Sequence, residues 1–243
     1  MFNSLYKGKK SKFFRDIHRK VFGDDYPEEA DSESFITLTD LQNFIKYLNI
    51  GPGKTFIDLG CGRGGPGMWI ARETGANYVG IDISEVAVEL ATQRIKDFGL
   101  KGNVSFLVGD LFTADLTEIQ YDAAISIDVL MFIPDLLTNI HETARILRSG
   151  ANFIFTTWEQ NFGNRINDYR PLLQKAGFKI EVYDEIPDWE SRQRKVYQHI
   201  LDSKDMLIKE MGKAEASQWI KEAQTTLPLL KNMTRVFVVA KKI

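Results

Sequence analysis

The stretch Thr55-Phe-Ile-Asp-Leu-Gly-Cys-Gly-Arg-Gly-Gly-Pro-Gly67 constrains this chain more than any other. An apolar run ends in an acid and passes into closely spaced glycines. That order reads as a buried strand entering a tight turn that opens a helix. Gly60-Cys61-Gly62-Arg63-Gly64-Gly65 satisfies G-x-G-x-x-G, the dinucleotide fingerprint. Glycine there permits positive φ and lets backbone approach a ligand closely. Asp58 adds a second condition. Bare amides at a helix N-terminus suit an anion, and a carboxylate beside them opposes one. The acid therefore points to a ligand of cationic character.

Three further apolar runs end in the same way: Tyr78-Val-Gly-Ile-Asp82, Val104-Ser-Phe-Leu-Val-Gly109-Asp110 and Tyr121-Asp-Ala-Ala-Ile-Ser-Ile-Asp128. A carboxylate at a strand tip can accept from both hydroxyls of a ribose. Any one of these acids alone reads equally as the turn residue that ends a strand. In this order, behind a glycine turn, the set resembles the class I S-adenosylmethionine (SAM)-dependent methyltransferases, whose first motif is a hydrophobic strand followed by D-x-G-x-G-x-G. The resemblance implies that SAM is bound and leaves as S-adenosylhomocysteine. It implies that Asp58, Gly60, Cys61 and Gly62 form the first motif and that Asp82 holds the ribose. Ile83 then packs on the adenine face. In the stretch Gly109-Asp110-Leu111, the acid accepts from the adenine amino group and the next amide bonds the ring. Asp128 and Val129 end the strand that faces the methyl donor. Two readings compete: a non-catalytic SAM-binding or assembly protein, since transfer chemistry needs few dedicated side chains, and an NAD-dependent oxidoreductase, disfavoured by Asp58 and by the ordered third acid.

The 243 residues fit one α/β domain with appendages. Strand–helix alternation predicts a doubly wound, mostly parallel sheet with helices on both faces. Seven strands, the last inserted antiparallel, follow from the resemblance. Ser84 and Asp135 are placed to cap helices. Ala87, Leu90, Ala91, Ile95 and Phe98 form the apolar face of the first, and Leu137, Ile140, Ala144 and Leu147 that of the second. Ser149-Gly150 reads as the turn before a fifth strand, Ala151–Thr157. Tyr169–Lys175 reads as a helix, and Phe178–Tyr183 and Arg235–Ala240 as the last two strands. Two segments stand outside this core: a helical amino-terminal part, 1–50, and an insertion at about 189–224 within the domain 51–243. The resemblance implies that both cover the donor and shape the acceptor pocket.

Net charge is −2, and the single cysteine, Cys61, permits no intrachain disulfide. A reducing, cytoplasmic setting is the expectation. No apolar stretch is long enough to span a bilayer, and no histidine/cysteine set has metal-ligand spacing. Lys7, Lys9, Lys10, Lys12, Arg15, Arg19 and Lys20 could touch phosphates. The near-neutral balance and the lack of a recognisable binding module instead favour a small-molecule acceptor over nucleic acid.

The chain resembles most the branch with sugar O-, sarcosine/dimethylglycine and ubiquinone/menaquinone methyltransferases. Several of its members carry L-H-H-x-x-D after the fourth strand, and a histidine there can act as base. This chain has Met131 and Phe132 instead. That favours an apolar or aromatic acceptor surface, walled by Met131, Phe132, Trp158, Trp189 and Tyr197. Oxygen is the expected acceptor atom, with nitrogen or carbon as alternatives. His199 and Glu159 are the candidate bases, His141 reads as surface packing, and His18 as solvated.

Overall fold

The computed structural model describes the chain apart from residues 1–5, 7–10, 33, 101, 111–115, 117–119 and 164. Among the described residues the strands are β1 (Thr55–Leu59), β2 (Asn77–Asp82), β3 (Val104–Val108), β4 (Tyr121–Ile127), β5 (Leu147–Gln160), β6 (Phe178–Glu185) and β7 (Met233–Lys242). The helices are α1 (Lys12–Phe22), α2 (Leu38–Leu48), α3 (Gly65–Thr74), α4 (Glu85–Arg94), α5 (Leu136–Ile146), α6 (Arg170–Lys175), α7 (Trp189–Asp202), α8 (Lys204–Met211) and α9 (Lys213–Thr226). The sheet has seven strands in the order β3-β2-β1-β4-β5-β7-β6. β1 pairs parallel with β2 and β4, whereas β7 runs antiparallel between β5 and β6. The order reverses beside β1, so the crevice at its carboxyl end is where a ligand fits an open α/β sheet.

The caps follow their chemistry. Ser84 Oγ accepts from the amide of Ala87, and Asp135 from that of Thr138. α2 starts on a full capping box: the Asp40 amide donates to Thr37 Oγ1 and the Thr37 amide to Asp40 Oδ2, each at 3.0 Å. Ser149-Gly150 is not a turn between elements. β5 begins at Leu147 and absorbs the pair as a bulge, its register against β4 shifting from Tyr121↔Leu147 to Ala123↔Asn152. In α5 the buried leucine is Leu136, and Leu137 is only half-buried.

The two faces of the sheet bury separate cores. One holds Leu136, Ile140, Phe153, Phe155, Tyr169 and Phe178 under α5 and α6. The other holds Phe14, Phe44, Trp158, Trp189, Tyr197 and Phe237, where α1, α2 and α7–α9 meet the sheet. The two segments that flank the core pack on each other here. Glu210 of α8 accepts from the amides of Lys12 (2.9 Å) and Phe13 (3.1 Å) at the start of α1. Such a carboxylate satisfies donors that a helix start leaves open. Asp25 pairs with Arg192 of α7 at 3.0 Å, and the Phe14 and Trp219 rings lie 4.4 Å apart. His18 is buried, against the expectation of a solvated residue. Its Nδ1 lies 2.9 Å from the Phe14 carbonyl, and its ring touches those of Phe14, Phe22 and Phe35.

Candidate active site

The glycine turn is pinned to the tip of β2. The amides of Gly60 and Cys61 both donate to the Ile81 carbonyl, at 2.9 and 3.0 Å. The Gly62 amide donates to Asp82 Oδ2 and the Ser84 amide to Oδ1, both at 2.8 Å. Asp82 thus bridges the glycine turn and the start of α4. A carboxylate has about four acceptor sites, so each oxygen retains capacity for one more donor. The turn has no room for side chains. Gly60 has φ +80°, and a Cβ there would lie 2.7 Å from both methyls of Val129. Gly62 has φ +53°, and a Cβ there would meet the Tyr6 hydroxyl at 3.0 Å. Cys61 turns its thiol inward against Gly80, leaving backbone at the turn.

Asp58 is not at the mouth of the turn, as the sequence suggested, but beneath it. It is 2% exposed; Oδ2 accepts from the Tyr78 hydroxyl at 3.1 Å, and Oδ1 is buried with no hydrogen-bond partner. Burial pushes its carboxyl up to about 7, with the Tyr78 bond opposing and Asp82 adding to the rise. The folded value lies above the ordinary carboxylate value. The protonated group therefore contributes stability that is full below about pH 4 and is lost as pH rises to about 7. Asp58→Asn should remove that dependence. Melting curves from pH 5 to 8 should show the variant gaining on the wild type up to about pH 7 and holding its advantage above it. A constant difference across the range would contradict this.

The other strand tips complete the crevice. Ile83 is 53% exposed beside Asp82. The Gly109 amide donates to the Asp82 carbonyl at 2.9 Å, and Asp110 is half-buried next to it. Leu111 lies outside the described residues. Asp128, at φ +58°, sends its carboxylate away from the crevice toward Arg235. Val129 follows it and covers Gly60.

Arg235 is the residue that sequence reasoning missed. It sits in β7, 2% exposed. Nη2 lies 3.2 and 3.1 Å from the two Asp128 oxygens, Nε 3.3 Å from Oδ1, and Nη1 3.2 Å from Asp40 Oδ2. Thr156 Oγ1 and the Phe35 amide also donate to Asp128, at 2.8 and 3.2 Å. The Trp158 ring centre lies 5.2 Å from the guanidinium carbon. An arginine in an otherwise apolar strand was the only signal, and it called for a buried partner.

Trp158, Trp189 and Tyr197, three of the five residues expected to wall an acceptor pocket, are buried in the core on one face of the sheet. Phe35 meets Trp158 and Tyr197 edge-on at 5.9 and 5.6 Å. The Trp158 Nε1–H donates to Gln193, whose Nε2–H donates to the Tyr197 hydroxyl, which in turn donates to Glu222 at 2.8 Å. Trp189 donates to Glu185. A cavity of about 10 Å³ remains between Phe22, Phe35, Thr37, Ile186, Trp189, Arg192 and Arg235. Met131 is half-buried, 3.8 Å from Gln160 Nε2, and Phe132 is 57% exposed.

The candidate bases fare differently. Glu159 accepts from the Tyr183 hydroxyl on the sheet face opposite Trp158, which takes it away from the aromatic cluster. Successive strand residues face opposite ways, so Trp158 and Glu159 cannot line one pocket. His199 lies half-exposed on a flank of α7, off the buried stripe of Trp189, Val196 and Ile200. His141 is exposed. Among the described residues no cluster of three metal-ligating side chains occurs, and no helix is long and apolar enough to cross a membrane.

The crevice suits a nucleoside bearing a cationic group. It offers a glycine turn closed to side chains, a carboxylate with acceptor capacity left and an orphaned buried carboxyl oxygen. The family described as "Methyltransferase domain" matches residues 50–224. The chain is similar to the methyltransferase GfsG of Streptomyces halstedii, 27% identical over 73% of this chain and 70% of that protein. It is also similar to the sterol 24-C-methyltransferase of Yarrowia lipolytica, 30% identical over 63% of this chain but only 40% of that protein. Its fold matches phosphoethanolamine N-methyltransferase 2 of Haemonchus contortus, solved with SAM, at TM-score 0.73 and 17% identity, over 100% of this chain and 60% of that one. The chain belongs to this methyltransferase-domain family, as an enzyme with the class I methyltransferase fold.

Proposed function

We propose that the protein methylates a small organic molecule of apolar or aromatic character, a specialised metabolite, on oxygen. The observation that carries this reading is the aromatic cluster of Phe35, Trp158, Trp189 and Tyr197, buried where the amino-terminal segment and the insertion meet the sheet beside the donor crevice. Methylation of carbon is the second reading, favoured by the likeness to a protein named as a sterol 24-C-methyltransferase. Residues 1–50 and 189–224 act as one cover, which the Glu210 cap on α1 and the Asp25–Arg192 pair hold together. The cytoplasmic assignment rests on the lone cysteine alone, and a nucleic-acid acceptor on nothing beyond the basic amino-terminal residues. Of these, Lys7, Lys9 and Lys10 lie outside the described residues.

SAM supplies an activated methyl group when bound. Asp82 would hold its ribose through the acceptor capacity left on each oxygen, with Ile83 and Asp110 against the base. The backbone of Gly60, Cys61 and Gly62, with Asp128 and Val129 opposite, would line the rest. A cationic end held above the turn would favour the ionised form of Asp58, which burial alone disfavours. The remaining task is alignment, worth effective molarities on the order of 10⁵–10⁸ M in well-oriented systems. Met131, Phe132, Trp158, Trp189 and Tyr197 would set the acceptor's position by packing.

The test is transfer of labelled methyl from SAM to a panel of apolar and aromatic hydroxylated, amino and alkene compounds, alongside tRNA and duplex DNA. Label should enter the small molecules, and mass spectrometry should locate the new methyl. Robust labelling of bulk tRNA or DNA would overturn the substrate class.

A further inference from the structure

Arg235 belongs to none of the motifs that hold donor or acceptor, yet its contacts reach the residue next to the donor turn. We infer that Arg235 is a positioning residue for the donor: a single guanidinium ties the start of α2 to the tip of β4, so that closing the amino-terminal cover and fixing Val129 over the glycine turn become one event.

The geometry supports each link. On one side, Nη1 donates to Asp40 Oδ2, the same oxygen that closes the α2 capping box through the Thr37 amide. The start of α2 is therefore set by the capping box and by Arg235 together. On the other side, Nε and Nη2 grip Asp128. Asp128 holds φ +58°, a conformation uncommon for residues with a side chain and taken most readily by asparagine and aspartate. Here Arg235, Thr156 Oγ1 and the Phe35 amide all bond its carboxylate. The residue so fixed is followed directly by Val129, whose methyls rest where any Cβ on Gly60 would fall. Phe35 and Asp40 both belong to the amino-terminal segment, so displacing that segment removes one direct contact of Asp128, the Phe35 amide, and one of the two carboxylates that hold Arg235. A planar fork presents separate nitrogens to the two carboxylates in a fixed geometry, whereas an ammonium offers its three donors from a single point.

The inference rests on the donor lying at the glycine turn, and its test uses donor binding alone, independent of the acceptor. S-Adenosylhomocysteine is titrated calorimetrically into the whole chain and into folded variants. Asp40→Asn keeps an oxygen for the Thr37 amide while weakening the tie to Arg235. Arg235→Lys keeps the charge and loses the fork. Both should weaken binding by about 5- to 20-fold, the usual scale of coupling through such a network. Leu173→Ala, in the core under α6 on the far face, is a control that lowers stability without touching the network. It should bind within about twofold of wild type. Hydrogen exchange at residues 128–132 should quicken in Asp40→Asn and not in Leu173→Ala. Triad variants that bind within about twofold of wild type would overturn the inference, as would an equal loss in Leu173→Ala. If Asp82→Ala also left affinity unchanged, the placement of the donor would fall, and this inference with it.

Discussion

Arg235→Met should cost about 3–5 kcal/mol of stability, the usual penalty for removing one partner of a buried ion pair. At roughly 2–4 °C per kcal/mol for a chain of this size, the melting temperature should drop by roughly 6–20 °C. The methionine fits the space, so the loss comes from two carboxylates, Asp40 and Asp128, left buried without their counter-charge. Adding Asp40→Asn and Asp128→Asn should recover much of it, because the orphaned charges are gone. Melting curves of the single and triple variants check this. A single variant that melts within about 2 °C of wild type would mean that the network carries little energy.

Asp82→Ala should weaken S-adenosylhomocysteine by about 1–3 kcal/mol, or roughly 5- to 150-fold, because hydrogen-bond partners lose their acceptor at a partly buried site. The variant also frees the Gly62 and Ser84 amides, which Asp82 now ties together at 2.8 Å each. Some of the loss will therefore come from a looser turn. Asp82→Asn separates the two contributions: its single carbonyl oxygen can still accept from one amide, and its affinity should fall between wild type and alanine. Alanine and asparagine variants that match wild-type affinity would show that the ribose does not rest on this side chain.

Much of this was legible before any coordinates. The glycine turn, the acids at the strand tips and the caps at Ser84 and Asp135 are local signals, each carried by residues a few positions apart. The antiparallel last strand came only from the resemblance, since an apolar run has no direction. What sequence hid were contacts between distant residues. Arg235 bonds Asp128 and Asp40 across separations of 107 and 195 residues, and nothing local announces either partner. His18 sits in a basic stretch that reads as solvated, and the rings that bury it include Phe35, from beyond the helix. Ser149-Gly150 has turn composition and forms a bulge because β4 continues to pair beside it. Glu159 was an avoidable miss: strand alternation alone sets it on the face opposite Trp158. Asp58 was recognised as significant, while its burial under the turn and its bond to Tyr78 depend on packing between β1 and β2.

The central claim is that the crevice at the ends of β1 and β2 holds S-adenosylmethionine. Calorimetric titration of the unmodified chain with SAM, S-adenosylhomocysteine, NAD and NADH in parallel tests it most directly. SAM and S-adenosylhomocysteine should bind saturably, one per chain, and neither nicotinamide nucleotide should bind. Saturable NADH binding with no SAM binding would contradict the account.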